Sequence, residues 1–100
     1  MPKLIHPGTI KIVTISTKAT KVVPYESVPP RQRFVMLNSN GVETHDIADA
    51  TEAIPIVEVH VLNLDSKGDL VPPENAASMR ILEFGPEGRL LRGTTMTKRR

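Results

Sequence analysis

Prolines stand at positions 2, 7, 24, 29, 30, 55, 72, 73 and 86, and they divide the chain into short pieces. Proline lacks a backbone N–H and clashes with the preceding helical turn, so it ends helices and is confined to the edges and bends of sheets. The stretches between the prolines also resist helix. Eighteen Val or Ile and nine Thr make 27 of the 100 residues β-branched, against eight Leu and six Ala. Branching at Cβ restricts χ1 in a helix but packs well on a pleated surface. Short strands joined by Pro- and Gly-rich turns are therefore expected, in one domain of this length.

The pattern predicts strands over Thr9–Thr17, Gln32–Leu37, Ile54–Leu64, Met79–Phe84 and Arg89–Arg92, with Lys18–Val23 continuing the first after a bend. Val57, Val59 and Val61 alternate with Glu58, His60 and Leu62, the sign of a half-buried strand with the valines inward. Asn38-Ser39-Asn40-Gly41 is a turn signal, with Val42–His45 as the returning strand. Ile47, Ala50 and Ile54 have helical spacing, so Asp46–Ala53 is expected to form one or two helical turns before Pro55. Ala76–Met79 is expected to form another short helical turn. Leu70-Val71 opens a strand that Pro72-Pro73 breaks. The expected fold is mainly β: a small antiparallel β-sandwich or β-barrel of six to seven short strands, with extended termini. Residues 1–8 form an N-terminal arm, 9–93 the domain, and 94–100 a basic tail.

The core of such a domain is thin. Tyr25, Phe34 and Phe84 are the only aromatic residues, and there is no Trp. Each aromatic buries roughly 150–250 Å², so three anchor little. Cysteine is absent too, so no disulfide reinforces the fold. Partners are the expected source of the missing stability. No apolar run approaches the roughly 18 residues of a membrane span, and residues 1–8 lack a signal-peptide core. Synthesis in the cytosol, with a virion as a destination, is the corresponding expectation.

Charge is sorted along the chain. Residues 1–42 carry a net +5, residues 43–87 a net −8 and residues 88–100 a net +5. Basic ends and an acidic middle suit attraction between copies, or to a lattice of another protein.

Three constellations bear on chemistry. Asn63–Glu74 has the spacing of an EF-hand loop, with oxygen donors at its first and third positions, Gly68 at the sixth and Glu74 at the twelfth. Lys67 occupies a donor position, however, and Pro72-Pro73 bars the helix that should begin there, so a plain hairpin turn is the stronger reading. Glu58 and His60 share a strand face and offer two metal ligands, too few for a site. Arg31, Arg33, Lys98, Arg99 and Arg100 offer phosphate contacts, with Phe34 and Tyr25 as stacking rings. Three scattered aromatics and an acidic middle make that a weak nucleic-acid surface. No nucleophile elbow or phosphate loop is present, and the paired carboxylates, Asp46 with Asp49 and Asp49 with Glu52, have the spacing of an exposed acidic helix face, so neither an enzyme nor a cofactor is expected.

The leading expectation is a non-enzymatic structural subunit of a large assembly, such as a capsid-decorating, head–tail joining or tail-ring protein of a phage particle. Its interface residues are expected to be Lys3, Leu4, Ile5 and His6 in the arm, Tyr25, Arg31 and Arg33 in the connector, and Lys98, Arg99 and Arg100 in the tail. The alternative is a small β-barrel that binds single-stranded nucleic acid through the basic clusters, Phe34 and Tyr25.

Overall fold

A computed structural model describes residues 8–29 and 32–97. It is mainly β, with seven strands in two sheets. They are β1 (Thr9–Thr14), β2 (Ala19–Pro24), β3 (Phe34–Leu37), β4 (Glu52–Pro55), β5 (Glu58–Leu64), β6 (Ser78–Phe84) and β7 (Leu90–Thr97). Five strands form one sheet in the order β2-β1-β5-β6-β7, and β3 and β4 form a separate antiparallel ribbon. The five-stranded sheet is open, not a closed barrel as one expectation had it. It is also mixed, because β1 runs parallel to β5 while its other neighbours are antiparallel. The parallel pairing arises because β2 and the whole ribbon intervene between β1 and β5.

Lys18–Val23 does not continue the first strand. The chain reverses at residues 15–18, and Thr14 pairs with Ala19. Lys18 takes the left-handed conformation (φ 61°) that closes this turn. The stretch 54–64 is likewise not one strand. Pro55 pairs in the ribbon opposite Phe34, and at Ile56 the chain crosses from the ribbon to the sheet. The Ile56 N–H donates to the Arg33 carbonyl (2.9 Å), and the next N–H, of Val57, donates to Phe84 (2.9 Å). Ile56 is fully buried at that crossing.

Two helical expectations fail. Residues 46–50 make a tight turn, closed by Asp49 N–H to the Asp46 carbonyl (3.0 Å), after which the chain becomes β4. Strand pairing wins there because it sets Ile54 against Val35, both buried. Val42–His45 makes only an isolated bridge, Glu43 opposite Leu37, on the other edge of β3 from β4, with Thr44 N–H donating to the Met36 carbonyl (2.9 Å). The segment before β6 has its 3-10 turn at Pro73–Asn75, not at Ala76–Met79. Further 3-10 turns occupy Tyr25–Ser27 and Pro86–Gly88, so the described residues hold more of them than the one or two expected. Strand β7 continues through Thr97, so residues 94–97 belong to the sheet and not to a tail.

The core lies at one end of the sheet, where the ribbon meets it. Ile10, Tyr25, Val35, Ile54 and Ile56 are the buried apolar residues among those described. Gly85 is buried with them: a Cβ there would lie 2.9 Å from Ile54 Cγ2. Away from this joint, Asn63 is the one sheet residue that is buried. Val59 and Val61 are half-buried, but so are Glu58, His60 and Leu62, so the expected division into a wet and a dry face is absent. The molecule is elongated, 44 × 26 × 25 Å. Its radius of gyration of 14.9 Å exceeds the about 13 Å of a compact 100-residue domain.

Candidate functional site

Of the three expected interface residues in the connector between β2 and β3, the two that are described, Tyr25 and Arg33, are committed internally. Tyr25 is 2% exposed. Its hydroxyl donates to the Arg33 carbonyl, and its ring meets Phe34 edge-on at 5.6 Å. Burial pushes the hydroxyl pKa up to about 12, against a smaller lowering by the Arg33 charge. The Arg33 guanidinium lies 5.8 Å from the Tyr25 ring centroid. It donates to the carbonyls of Val28 (2.7 Å) and Glu26 (3.1 Å). The pair thus ties the proline-rich connector to the core. The ring proposed for stacking on a base or a partner is inside the protein. Lys3, Leu4, Ile5, His6, Arg31, Lys98, Arg99 and Arg100 lie outside the described residues.

The EF-hand-like stretch folds as a hairpin turn. Asp65 Oδ1 accepts from the backbone N–H groups of Lys67 (2.8 Å) and Asp69 (3.0 Å), so local amides already use the first acid of the loop. Gly68 takes φ +87°, and Val71 N–H returns to the Asn63 carbonyl at 3.0 Å. Glu58 and His60 do meet, His60 Nε2 lying 2.5 Å from Glu58 Oε2, with the imidazole against the Phe84 ring at 4.6 Å. No third ligand joins them: among the described residues no group of three His, Cys, Asp or Glu could hold a metal ion. A half-exposed pair of this kind contributes little to stability.

A polar clamp joins the ribbon to the sheet. Arg92 on β7 bonds both oxygens of Glu83 on β6 and reaches Glu43 in the loop after β3. Composition gave no sign of this contact, which spans 49 residues.

The concavity that sequence reasoning missed lies at the opposite end of the sheet from the core. A groove of about 360 Å³ opens there, lined by Asn63, Pro73, Ala76, Met79, Met96 and Thr97 among others. Met79 and Met96 are direct cross-strand neighbours, and Asn63 pairs with Met79 from the other side. The three side chains therefore share one face of the sheet. Asn63 is 5% exposed. Its position as the first residue of the apparent cation loop disguised it in the sequence. Met96 lies in a polar, basic stretch of sequence that disguises its place in β7.

No family model matches this chain, and neither does any curated protein or solved structure. No helix among the described residues is long and apolar enough to cross a membrane.

Proposed function

We propose that this chain is a non-enzymatic structural subunit of a larger protein assembly. The observation that carries the reading is the mismatch between sheet and core. Among the described residues, a five-stranded sheet is built on five buried apolar side chains, all gathered at one end. Both faces of the remaining sheet are left half-exposed, and Val22, Leu70, Leu90 and Met96 are 60%, 49%, 56% and 44% exposed. Among the described residues, β2 and β7 present unpaired outer edges. An open edge is a template for another strand, and burial shared between chains supplies stability that one small core lacks. The sorted charges favour unlike ends meeting. Size and architecture suit a capsid-decorating, head–tail joining or tail-ring protein of a viral particle.

The nucleic-acid reading is weaker because one of its two stacking rings, Tyr25, is buried, and the other, Phe34, packs against it.

The test is the absolute mass of the full chain by light scattering after size-exclusion chromatography, at low and high salt. Refractive-index detection is needed, since one Tyr and no Trp absorb little. A discrete oligomer free of nucleic acid is expected. An 11.0 kDa monomer at every concentration, with no larger species at low salt, would remove this reading.

A further inference from the structure

The assembly reading names two open edges and leaves open which of them meets a second chain. The direction of the backbone groups separates them. Ile15 N–H donates to the Val61 carbonyl (2.9 Å), so Val61 faces β1, and its neighbours His60 and Leu62 face β6. Their partners Leu82 and Arg80 turn toward β5, which leaves Ile81 and Met79 to bond Thr94 and Met96 of β7. The N–H and C=O groups of Gly93, Thr95 and Thr97 therefore point away from the sheet. On the other side, Tyr25 N–H donates to the Gly8 carbonyl (2.9 Å), so Val23 and Lys21 bond β1, and Thr20 and Val22 point outward.

The two edges differ in chemistry. At the end of β2, Pro24 has no N–H, and its carbonyl already accepts from Ser27 Oγ (2.7 Å). If two copies of β2 paired antiparallel through Thr20 and Val22, Lys21 would lie directly opposite Lys21, a repulsive contact. Proline and lysine are the usual protection of an edge. The outer half of β7 has neither. Residues 93–97 read Gly-Thr-Thr-Met-Thr, and the register shift of the β6–β7 pair lies at Glu83/Phe84, outside this stretch. Gly93 adds a second sign. Its φ is not left-handed, and a Cβ there would come no closer than 3.4 Å to Leu82 Cδ2, an ordinary contact. Its own chain does not require a glycine there. A glycine inside a strand often marks the close approach of another backbone.

We infer that β7 of one copy pairs antiparallel with β7 of a second copy, about a two-fold axis at Thr95. Thr95 then lies opposite Thr95, and Gly93 opposite Thr97, each pair exchanging both of its hydrogen bonds. On the other face Thr94 meets Met96 of the second copy and covers a side chain that is 44% exposed in one chain. The stretch is its own complement. Threonine meets threonine, the smallest residue meets a β-branched one, and no charge faces a like charge between residues 93 and 97. That favours a second copy over a foreign strand. The contact is isologous and joins the two five-stranded sheets into one. This inference rests on the assembly reading above.

The test uses the full-length chain. Thr95→Pro removes an outward N–H and no ladder bond of its own chain, and Thr20→Pro does the same on β2. Circular dichroism first checks that each variant keeps the wild-type strand signature. Light scattering should then show Thr95→Pro at the 11.0 kDa monomer mass, with the half-assembly concentration raised at least about tenfold, the equivalent of about 1.4 kcal/mol. Thr20→Pro should assemble like the wild type. The chain has no cysteine, so Thr95→Cys places a single thiol on the axis. Directly opposed Cα atoms there are ~5.5 Å apart, within disulfide range. Oxidised glutathione should link Thr95→Cys into a covalent dimer, and should leave Val22→Cys, at a 60% exposed site of β2, largely unlinked. If Thr95→Pro does not fold, the two cysteine variants decide. A folded Thr95→Pro that assembles like the wild type, or a Thr95→Cys that links no faster than Val22→Cys, overturns this contact while leaving the subunit reading in place. Loss of assembly in both proline variants would make the contact head-to-tail, β7 on β2, and overturn the two-fold. A wild-type chain that never assembles overturns the subunit reading, and this contact with it.

Discussion

Arg92 holds Glu83 through two parallel hydrogen bonds, Nε to Oε1 at 2.7 Å and Nη2 to Oε2 at 3.0 Å, across the β6–β7 pair. Its remaining nitrogen, Nη1, donates to Glu43 Oε2 at 2.8 Å. The Glu83 side chain is only 13% exposed, so this contact is shielded from solvent more than an ordinary surface pair. The Glu83 hydrogen bond is also the main reason that the Arg92 pKa rises above its usual value, outweighing partial burial. One guanidinium thus fastens the edge strand to its neighbour and the ribbon loop to both.

Removing the guanidinium should expose how that work is divided. Arg92→Ala should destabilise the fold by about 1–3 kcal/mol, because it leaves the Glu83 carboxylate partly buried and unpaired. Glu43→Gln should cost less than about 1 kcal/mol, since that side chain is 33% exposed. Urea unfolding followed by circular dichroism measures both. Equal losses from the two substitutions would show that the ribbon contact, not the strand contact, dominates.

Tyr25 predicts an alkaline limit. Its hydroxyl ionises near the ordinary value of about 10 in the unfolded chain, but near 12 in the folded one. The folded state therefore holds the proton more tightly, and between those values it binds more proton than the unfolded state. Stability from this group is complete below pH about 10 and falls as pH rises toward 12, by an amount on the order of 2 kcal/mol. Tyr25→Phe should lose the hydrogen bond to Arg33, costing about 1–2 kcal/mol at neutral pH. It should also flatten the alkaline decline relative to wild type. Parallel pH–stability curves for the two proteins would contradict the assignment.

Gly85 is required for its lack of a side chain. Its φ of −91° is open to any residue, but a Cβ would press on Ile54 Cγ2 at 2.9 Å and Leu91 Cδ1 at 3.0 Å. Ile54 is β-branched and buried, so it has little freedom to yield. Gly85→Ala should cost about 1–3 kcal/mol, read as a lower melting temperature. Gly88→Ala meets nothing within 4 Å, but Gly88 has φ +76°, so any loss there comes from backbone strain alone.

The hairpin after β5 should be indifferent to calcium. Asp65 is engaged by two backbone N–H groups, so millimolar Ca²⁺ should leave the melting temperature unchanged. Asp65→Ala should cost about 1 kcal/mol through loss of those turn bonds. A calcium-dependent rise in melting temperature, abolished by Asp65→Ala, would restore the cation-loop reading.

Truncation separates strand from tail. A chain ending at Thr97 should keep the fold. A chain ending at Gly93 loses the pairs that Thr94–Thr97 make with Ser78–Ile81, and it should lose about 1–4 kcal/mol. Thermal melts of the two truncations check this. Equal stability would mean that the end of β7 contributes nothing.

Much of the fold was legible locally. β-Branched runs bounded by proline mark the strands, and Asn40-Gly41 and Gly68 mark turns that the chain does make, with φ +75° and +87° at the glycines. The thin core was legible from three aromatics and no cysteine. Pairing was not. Residues 18–23 read as a continuation, because an alternating pattern looks the same whether the chain bends or reverses. Residues 46–54 have helical spacing, but the burial of Ile54 against Val35 outweighs that weak local preference.

The candidate site shows the same division. The identity of Asn63, Met79 and Met96 is in the sequence, but their meeting depends on two registers, Asn63 with Met79 and Met79 with Met96. The sequence by itself determined a β-rich chain, its turn chemistry, its small core and its sorted charge, because these follow from each residue and its near neighbours. Only the tertiary structure decided which strands pair, that the sheet stays open, and that Tyr25 turns inward while Met96 and Ile47 stay out. Those outcomes depend on which distant residues bury one another best, and that competition is settled only when the whole chain has folded.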